Sequence, residues 1–410
     1  MDTYQDFHHI IDQFPEGEKS FIEIPFEVGA DIERIDVSYH FPFGGGGSVI
    51  DLGVAQHGRM RGWTGAERGH ITLEADRATP GYDKGPLQGF WHVVLGIVKI
   101  GPDCKVDLHI RLTPKRQRWL VGDLHSHSEH SDGGVTVLDA IYRARASRLD
   151  FVSITDHNTV SQNAICPDDP GILVIPAMEL TSFYGHTNFH GLAQPLEDWR
   201  CRSPKDVADK MQEAHDKGAT IVINHPFQNS AGGRWQSGFD VAFDAYEIWN
   251  GNWSVMNEQG LAFWQELLVA GRRIPATGGS DFHLKNRRRH GYPANNLYAD
   301  SGSIADILKA VRDGRNVVTA SPDAVMVTPR GDGSPVFGDR VAAGTALTFA
   351  FTGLVEGDEI RVITEEGVVG HRHADQTTMT LERTFSGRFL RFEVWRDQAP
   401  QLFTNPFYAE

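Results

Sequence analysis

The residues best suited to chemistry begin at His125-Ser126-His127, with Asp132 a few positions on. They follow Trp119-Leu120-Val121, an apolar run of strand length. A strand sends alternate side chains to one face, so His125 and His127 project together from its end. Two imidazoles and a nearby carboxylate oxygen can hold a metal ion. One His-x-His pair means little in a chain with 19 histidines; the later runs add weight. Phe151-Val152-Ser153-Ile154 leads into Asp156-His157-Asn158, and Ile172-Leu173-Val174-Ile175 leads to Glu179 and then Gly185-His186-Thr187-Asn188. Thr220-Ile221-Val222-Ile223 leads into Asn224-His225-Pro226, and Ile274-Pro275-Ala276 into Gly278-Gly279-Ser280-Asp281-Phe282-His283. In parallel α/β barrels the strand C-termini open on one mouth, where such residues meet.

Taken in order, His125-x-His127 with Asp132, Asp156-His157-Asn158, Glu179, His225 and Asp281-x-His283 resemble the successive motifs of the polymerase and histidinol phosphatase (PHP) superfamily. The match spans about residues 118–328. Gly185-His186-x-Asn188 and Gly291-Tyr292-Pro293 resemble its carbaryl-hydrolase-like (CehA/McbA) group. The resemblance implies a distorted (β/α)7 barrel holding two or three divalent ions, usually for phosphoester hydrolysis. It implies that His125, His127 and Asp281 bind one ion, with Glu179 bridging to a second held by His186 and His225. Asp132, His157 and His283 would hold a third, or leave a free general acid beside a two-metal site. His190, four residues after His186, fits the pattern less well. Asp156 and Asp123 are expected in supporting roles, and His130 either supports the site or transfers a proton, or is simply exposed on the turn.

Positioning these residues requires alternating strands and helices, hence a mostly parallel sheet. Val137, Ile141, Ala144 and Leu149 recur near helical spacing. Ser203-Pro204 pairs a cap with Pro at the first helical position and predicts a helix ending near Lys217-Gly218. Further helices are expected at 257–270 and 304–312. Residues 1–115 carry short β-rich segments, with apolar-polar alternation in Val106-Asp107-Leu108-His109-Ile110-Arg111-Leu112, and predict an antiparallel β-sandwich. Gly44 to Gly47 predict a flexible loop. Residues 329–410 return to short strands and predict a small C-terminal β domain. In that region His371 and His373 repeat the His-x-His pattern without accompanying ligand types and are expected at the surface. All the matched ligands lie between His125 and His283, so neither flanking region is needed to assemble the centre.

The chain carries 39 basic against 54 acidic residues, a formal charge of −15, which disfavours nucleic acid and anionic membranes as partners. Cys104, Cys166 and Cys201 form no disulfide or zinc pattern. No run has the length of a membrane span, and a cytoplasmic location is the default expectation. Homo-oligomerisation is compatible with this composition.

Carboxylate and imidazole ligands without thiolate suit Mn²⁺, Fe²⁺ or Zn²⁺. A bridging carboxylate keeps two ions roughly 3.5–4 Å apart, where a shared hydroxide can be the nucleophile. The resemblance thus implies Asp132, His157, His283 and Glu179 as the catalytic residues. Arg234, Lys285 and Arg287, in loops after His225 and His283, are the candidates to hold a phosphate. The expected function is hydrolysis of a small organic phosphate ester, as a phosphodiesterase or phosphatase. The same centre could attack a carbamate or carboxylic ester, as the carbaryl-hydrolase resemblance implies. A noncatalytic ligand-binding protein is the remaining alternative, and it would be expected to lack part of the ligand set.

Overall fold

The computed structural model describes residues 4–42, 47–230, 232–331 and 333–410. Gly44, Gly45 and Gly46 of the expected flexible loop lie outside the described residues. The chain divides into two compact units. The first contains the segment up to Gln117 with Pro167–Asp169 and Ser301–Ser303; the second contains the remainder. Segment 329–410, read from sequence as a third region, lies within the second unit.

The first unit holds strands β1 (Gln5–Ile11), β2 (Ser20–Val28), β3 (Ile32–His40), β4 (Val49–Gln56), β5 (Arg59–Thr64), β6 (His70–Glu74), β7 (Gly89–Lys99) and β8 (Val106–Pro114). They form two antiparallel sheets, ordered β1-β8-β3-β6 and β2-β7-β4-β5. The alternation in β8 buries Val106, Leu108, Ile110 and Leu112 and turns Asp107, His109 and Arg111 outward. Those four apolar side chains share one core with Ile50, Leu52, Val54, Trp91, Val93 and Leu95 of the other sheet, which makes the unit a sandwich.

The second unit begins with β9 (Arg118–Asp123), α1 (Val137–Ala146), β10 (Phe151–Ile154), β11 (Leu173–Ser182), β12 (Gly185–His190), α2 (Pro204–Asp216) and β13 (Thr220–Ile223). It continues with β14 (Ala245–Asn250), α3 (Val255–Val269), β15 (Ala276–Gly279), β16 (Ala294–Ala299), α4 (Ile304–Arg312) and β17 (Asn316–Thr319). The expected caps are in place. Thr136 accepts a hydrogen bond from Asp139 N–H, and Ser203, followed by Pro204, accepts one from Asp206 N–H.

The strand order is β15-β14-β13-β12-β11-β10-β9-β16-β17. It then runs on through Ala399–Thr404, Phe389–Arg396, Glu359–Thr364 and Gly367–His373. This corrects the expected (β/α)7 barrel. Neighbours β9, β10 and β11 are parallel, as are β13, β14 and β15, but β12 and β16 run antiparallel to both of their neighbours. Only four α-helices occur among the described residues. The physical reason is local. The loop Phe183-Tyr184 is too short for a crossover, so β11 and β12 form a hairpin, with Ser182 Oγ bonding Tyr184 N–H and Gly185 O.

The outer edge of β15 is covered by side-chain amides instead of a backbone ladder. Asn295 accepts from Gly278 N–H (3.0 Å) and donates to Gly278 O (2.7 Å). Asn405 does the same with Ala276 (2.7 and 3.0 Å), whose carbonyl also receives Asn316 Nδ2. Beyond the strand ends a short backbone link joins the same region to β9: Asp281 N–H donates to His125 O and His127 N–H to Phe282 O. Replacing the buried Asn295 with Ala leaves both Gly278 groups unpaired. The expected loss is about 2–4 kcal/mol, read as a fall in the denaturant midpoint; an unchanged midpoint would mean that the amide does not hold this edge.

Candidate metal centre

The side chains singled out by sequence converge beyond the C-terminal ends of the parallel strands. His125 and His127 follow β9, His157 follows β10, Glu179 lies in β11, His186 in β12, His225 follows β13, and Asp281 and His283 follow β15. Glycines make room for them. A Cβ at Gly279 would come within 2.3 Å of His125 Cβ and 2.5 Å of Glu247 Oε1, and one at Gly133 within 2.2 Å of the His127 carbonyl. His225 (φ 24°) and Asp281 (φ 47°) hold left-handed backbone, a strain that non-glycine residues tolerate where the surroundings enforce it.

All nine candidate ligands enter four overlapping clusters, in each of which the donor atoms lie within 4.8 Å of one another. These are His125, His127 and Glu179; His125, His225 and Asp281; Glu179, His186 and His225; and His127, Asp132, His157 and His283. Glu179 is the hub. Its Oε1 lies 3.4 Å from His125 Nε2, 3.3 Å from His186 Nδ1 and 3.4 Å from His225 Nε2, while Oε2 lies 2.8 Å from His157 Nδ1 and 3.5 Å from His127 Nε2. Asp281 Oδ1 lies 3.1 Å from His127 Nε2. The cluster grades from a sealed floor to an open rim: the Glu179 side chain is 1% exposed, whereas that of Asp132 is 63% exposed, with His283 Nε2 at 2.9 Å and His157 Nε2 at 3.3 Å.

The buried nitrogens and oxygens supply a test of metal fit. Nε2 of His125 and Nε2 of His127 are buried and make no hydrogen bond, and Oε2 of Glu179 meets His157 Nδ1 at 2.8 Å without hydrogen-bond geometry. Buried polar atoms are ordinarily satisfied, so a group of them aimed at one space is what missing cations would leave. The donor set of imidazole and carboxylate without thiolate fits divalent ions of the Mn²⁺, Fe²⁺ or Zn²⁺ kind.

Charge makes the same point. Burial opposes ionisation of Glu179, yet His125, His157 and His186 around it hold its carboxyl well below the usual range. Burial likewise opposes protonation of His157, but Glu179 and Asp132 bring its pKa up to about 10. His125 and His225 are also raised, against burial, by neighbouring carboxylates. In His127 burial prevails and the pKa falls. The carboxylates thus favour positive charge on the imidazoles around them.

Supporting residues fall into two groups. Asp156 accepts from Ser128 N–H, Ser128 Oγ and Ser131 Oγ, pinning the turn that carries Asp132. Asp123 accepts from Ser280 N–H and Oγ and from Gly291 N–H, tying β9 to the Asp281 loop. Both were expected to be supporting. His190 lies outside the clusters, with Nδ1 2.8 Å from Ser153 Oγ, and His130 Nδ1 is 2.7 Å from Ser161 Oγ.

Sequence reasoning missed Glu247. Buried in β14, it places Oε1 2.9 Å from His125 Nδ1, and its Oε2 accepts from His225 N–H and Asn250 Nδ2. The signal was a lone carboxylate in the apolar run Tyr246-Glu247-Ile248-Trp249. Asn224 Nδ2 donates to Glu179 Oε1 at 2.8 Å, and Arg288 Nη1 to Asp281 Oδ2 at 2.7 Å. Such partners orient metal ligands. Glu247→Gln is expected to lower metal affinity or turnover by roughly 10–100-fold, measured by metal titration and kcat; wild-type values for both would remove Glu247 from the site.

Of the candidate phosphate holders, Arg234 is exposed with its guanidinium 5.6 Å from the Phe227 ring centroid. Lys285 and Arg287 are exposed on the loop after His283. Trp249 is buried and packs against Trp253 and Phe403, in the core. His371 and His373 are exposed on their strand, as expected.

No protein-family model matches this chain. One curated protein, the 5'-3' exoribonuclease Rnm of Salmonella typhimurium, is 27% identical over 120 residues, 24% of this chain. The chain spans 41% of the length of that relative. Among solved structures, the chain is similar to a two-domain protein from Bacteroides vulgatus described as containing a PHP-like metal-dependent phosphoesterase. The identity is 17% and the TM-score 0.42, over 71% of this chain and 96% of that one. It is also similar to a candidate metal-dependent phosphoesterase from Bifidobacterium adolescentis, at 18% identity and TM-score 0.32, over 46% of this chain and 95% of that one.

Proposed function

We propose that this chain is a metal-dependent phosphoesterase of the PHP type, acting on a small organic phosphate ester. The carrying observation is the cluster around Glu179, in which nine imidazole and carboxylate side chains share one space and buried donor atoms lack partners. The aligned exoribonuclease, whose name denotes cleavage of RNA, is consistent with phosphodiester chemistry. These residues would hold two or three divalent ions, which would supply an activated water and charge neutralisation at the ester oxygens.

The chain's own residues do the rest. His125, His127 and Asp281 form one holding face, and His186 and His225 another, with Glu179 between them. Arg288 and Glu247 fix Asp281 and His125 in orientation. At the rim, His157 and His283 flank Asp132, where an imidazolium can deliver a proton to the leaving oxygen. Arg234, Lys285 and Arg287 are positioned on exposed loop segments from which a cation can reach a phosphate.

Matched phosphomonoester, phosphodiester, short RNA and aryl carbamate substrates test this reading on the metal-analysed protein. Metal-dependent turnover of a small phosphate ester is the expected result. Turnover of the carbamate alone would replace phosphoryl with carbonyl chemistry, and turnover of RNA alone would replace the small ester with a polymer.

A further inference from the structure

A second set of metal-ligand residues stands on the sandwich unit, where the sequence motifs required none. His8 of β1 lies directly opposite His109 of β8 in the antiparallel register. Asp107, two residues before His109, points to the same outward face. His8 Nε2 is 2.7 Å and His109 Nε2 2.9 Å from the same Asp107 oxygen. The two imidazoles stack at 4.2 Å between centroids, 9° from parallel. Three donor atoms thus lie within 4.8 Å of one another, and the side chains of His8, His109 and Asp107 are about half exposed (52%, 55% and 47%).

Without an ion, Asp107 accepts a hydrogen bond from His8 Nε2, and His109 Nε2 lies 2.9 Å from the same oxygen. Both Nε2 atoms are already close to one carboxylate oxygen, and the stacked rings must tilt toward each other for both lone pairs to meet at one ion. Ligand atoms bound at roughly 2.0–2.2 Å stand about 3.3 Å apart around a tetrahedral ion. Half-exposed side chains can open to that separation from the observed distances by small rotations. Solvent completes the coordination. Two imidazoles and one carboxylate favour the transition divalent ions over Ca²⁺ or Mg²⁺.

We infer that His8, Asp107 and His109 form a second divalent-metal site, of the zinc class, that clips strand β1 to β8. Among the described residues β1 is an edge strand paired only with β8, and its ligand lies 99 residues from Asp107 in the chain. An ion at this point ties the start of the chain to the last strand of the sandwich. It stabilises the unit by mass action on the folded state alone. The site is separate from the Glu179 cluster and does not depend on the hydrolytic reading.

Full-length wild type, His8→Asn, His109→Asn and His373→Asn, each equilibrated at the same micromolar free zinc, provide the test. His373 is a control: it is exposed with His371 on one strand, and the pair belongs to no three-donor cluster among the described residues. His8→Asn and His109→Asn are each expected to hold one zinc equivalent fewer than wild type, and zinc is expected to raise their melting temperatures less. His373→Asn should match wild type, and hydrolysis should be unchanged in all four. Equal zinc in all four proteins, full zinc retention by either sandwich variant, or an equal loss in His373→Asn would overturn the inference.

Discussion

Glu179→Gln is expected to lose metal equivalents and to lower turnover by on the order of 10³-fold or more. The side chain is 1% exposed, and its two oxygens reach five histidines at 2.8–3.5 Å. A neutral amide keeps the volume but offers one oxygen and an N–H₂ that points donors at donors. It also removes the negative charge that offsets the imidazolium cluster. Metal content by elemental analysis and kcat on a folded sample read out both effects. Normal metal content with normal turnover would place Glu179 outside the ligand set.

The second large effect is in pH. In the metal-free protein His157 is raised to about 10 and His125 and His225 are raised as well. The upward shifts favour the protonated imidazoles, so an ion that takes up any of these nitrogens displaces protons. Each displaced proton weakens the apparent affinity by about tenfold for every unit that pH falls. Proton release on loading, followed with a weak buffer and an indicator, is the direct measurement. The stability of the metal-free protein carries the matching sign. A raised imidazole contributes stability that is fully present below its unfolded pKa near 6.5 and lost as pH rises toward 10. Depressed Glu179 and Asp281 contribute stability present above the ordinary carboxylate range and lost on acidification. Alkaline destabilisation should therefore appear in the metal-free protein and shrink on loading. Metal binding that neither releases protons nor varies with pH would contradict this charge balance.

Several candidate ligands were legible because they follow a short apolar run, so strand periodicity and residue type pointed to the same place. His125, His157, His225 and Asp281 all follow that rule. Glu247 was missed: it sits inside β14, and its one mark, a lone carboxylate in an apolar run, does not say which face of the strand meets the site. The hairpin from β11 to β12 was hidden for a related reason. Gly185-His186-Thr187-Asn188 reads as a motif in a loop, yet its residues pair strand to strand with both β11 and β13. The edge cover of β15 was beyond sequence reasoning, since Asn295, Asn316 and Asn405 act through contacts far apart in the chain. Cap residues were the opposite case, because Ser203 and Pro204 act on the turn beside them and need no distant partner.

The central claim is that the Glu179 cluster is a multinuclear metal centre on which hydrolysis depends. Metal stoichiometry, measured with turnover of a phosphate ester before chelation, after chelation and after reconstitution, tests it most directly. At least two transition-metal equivalents per chain should be bound in the His109→Asn background, which removes the sandwich site from the count. Activity should vanish on chelation and return with Mn²⁺, Fe²⁺ or Zn²⁺. Full activity in metal-free protein would contradict the account.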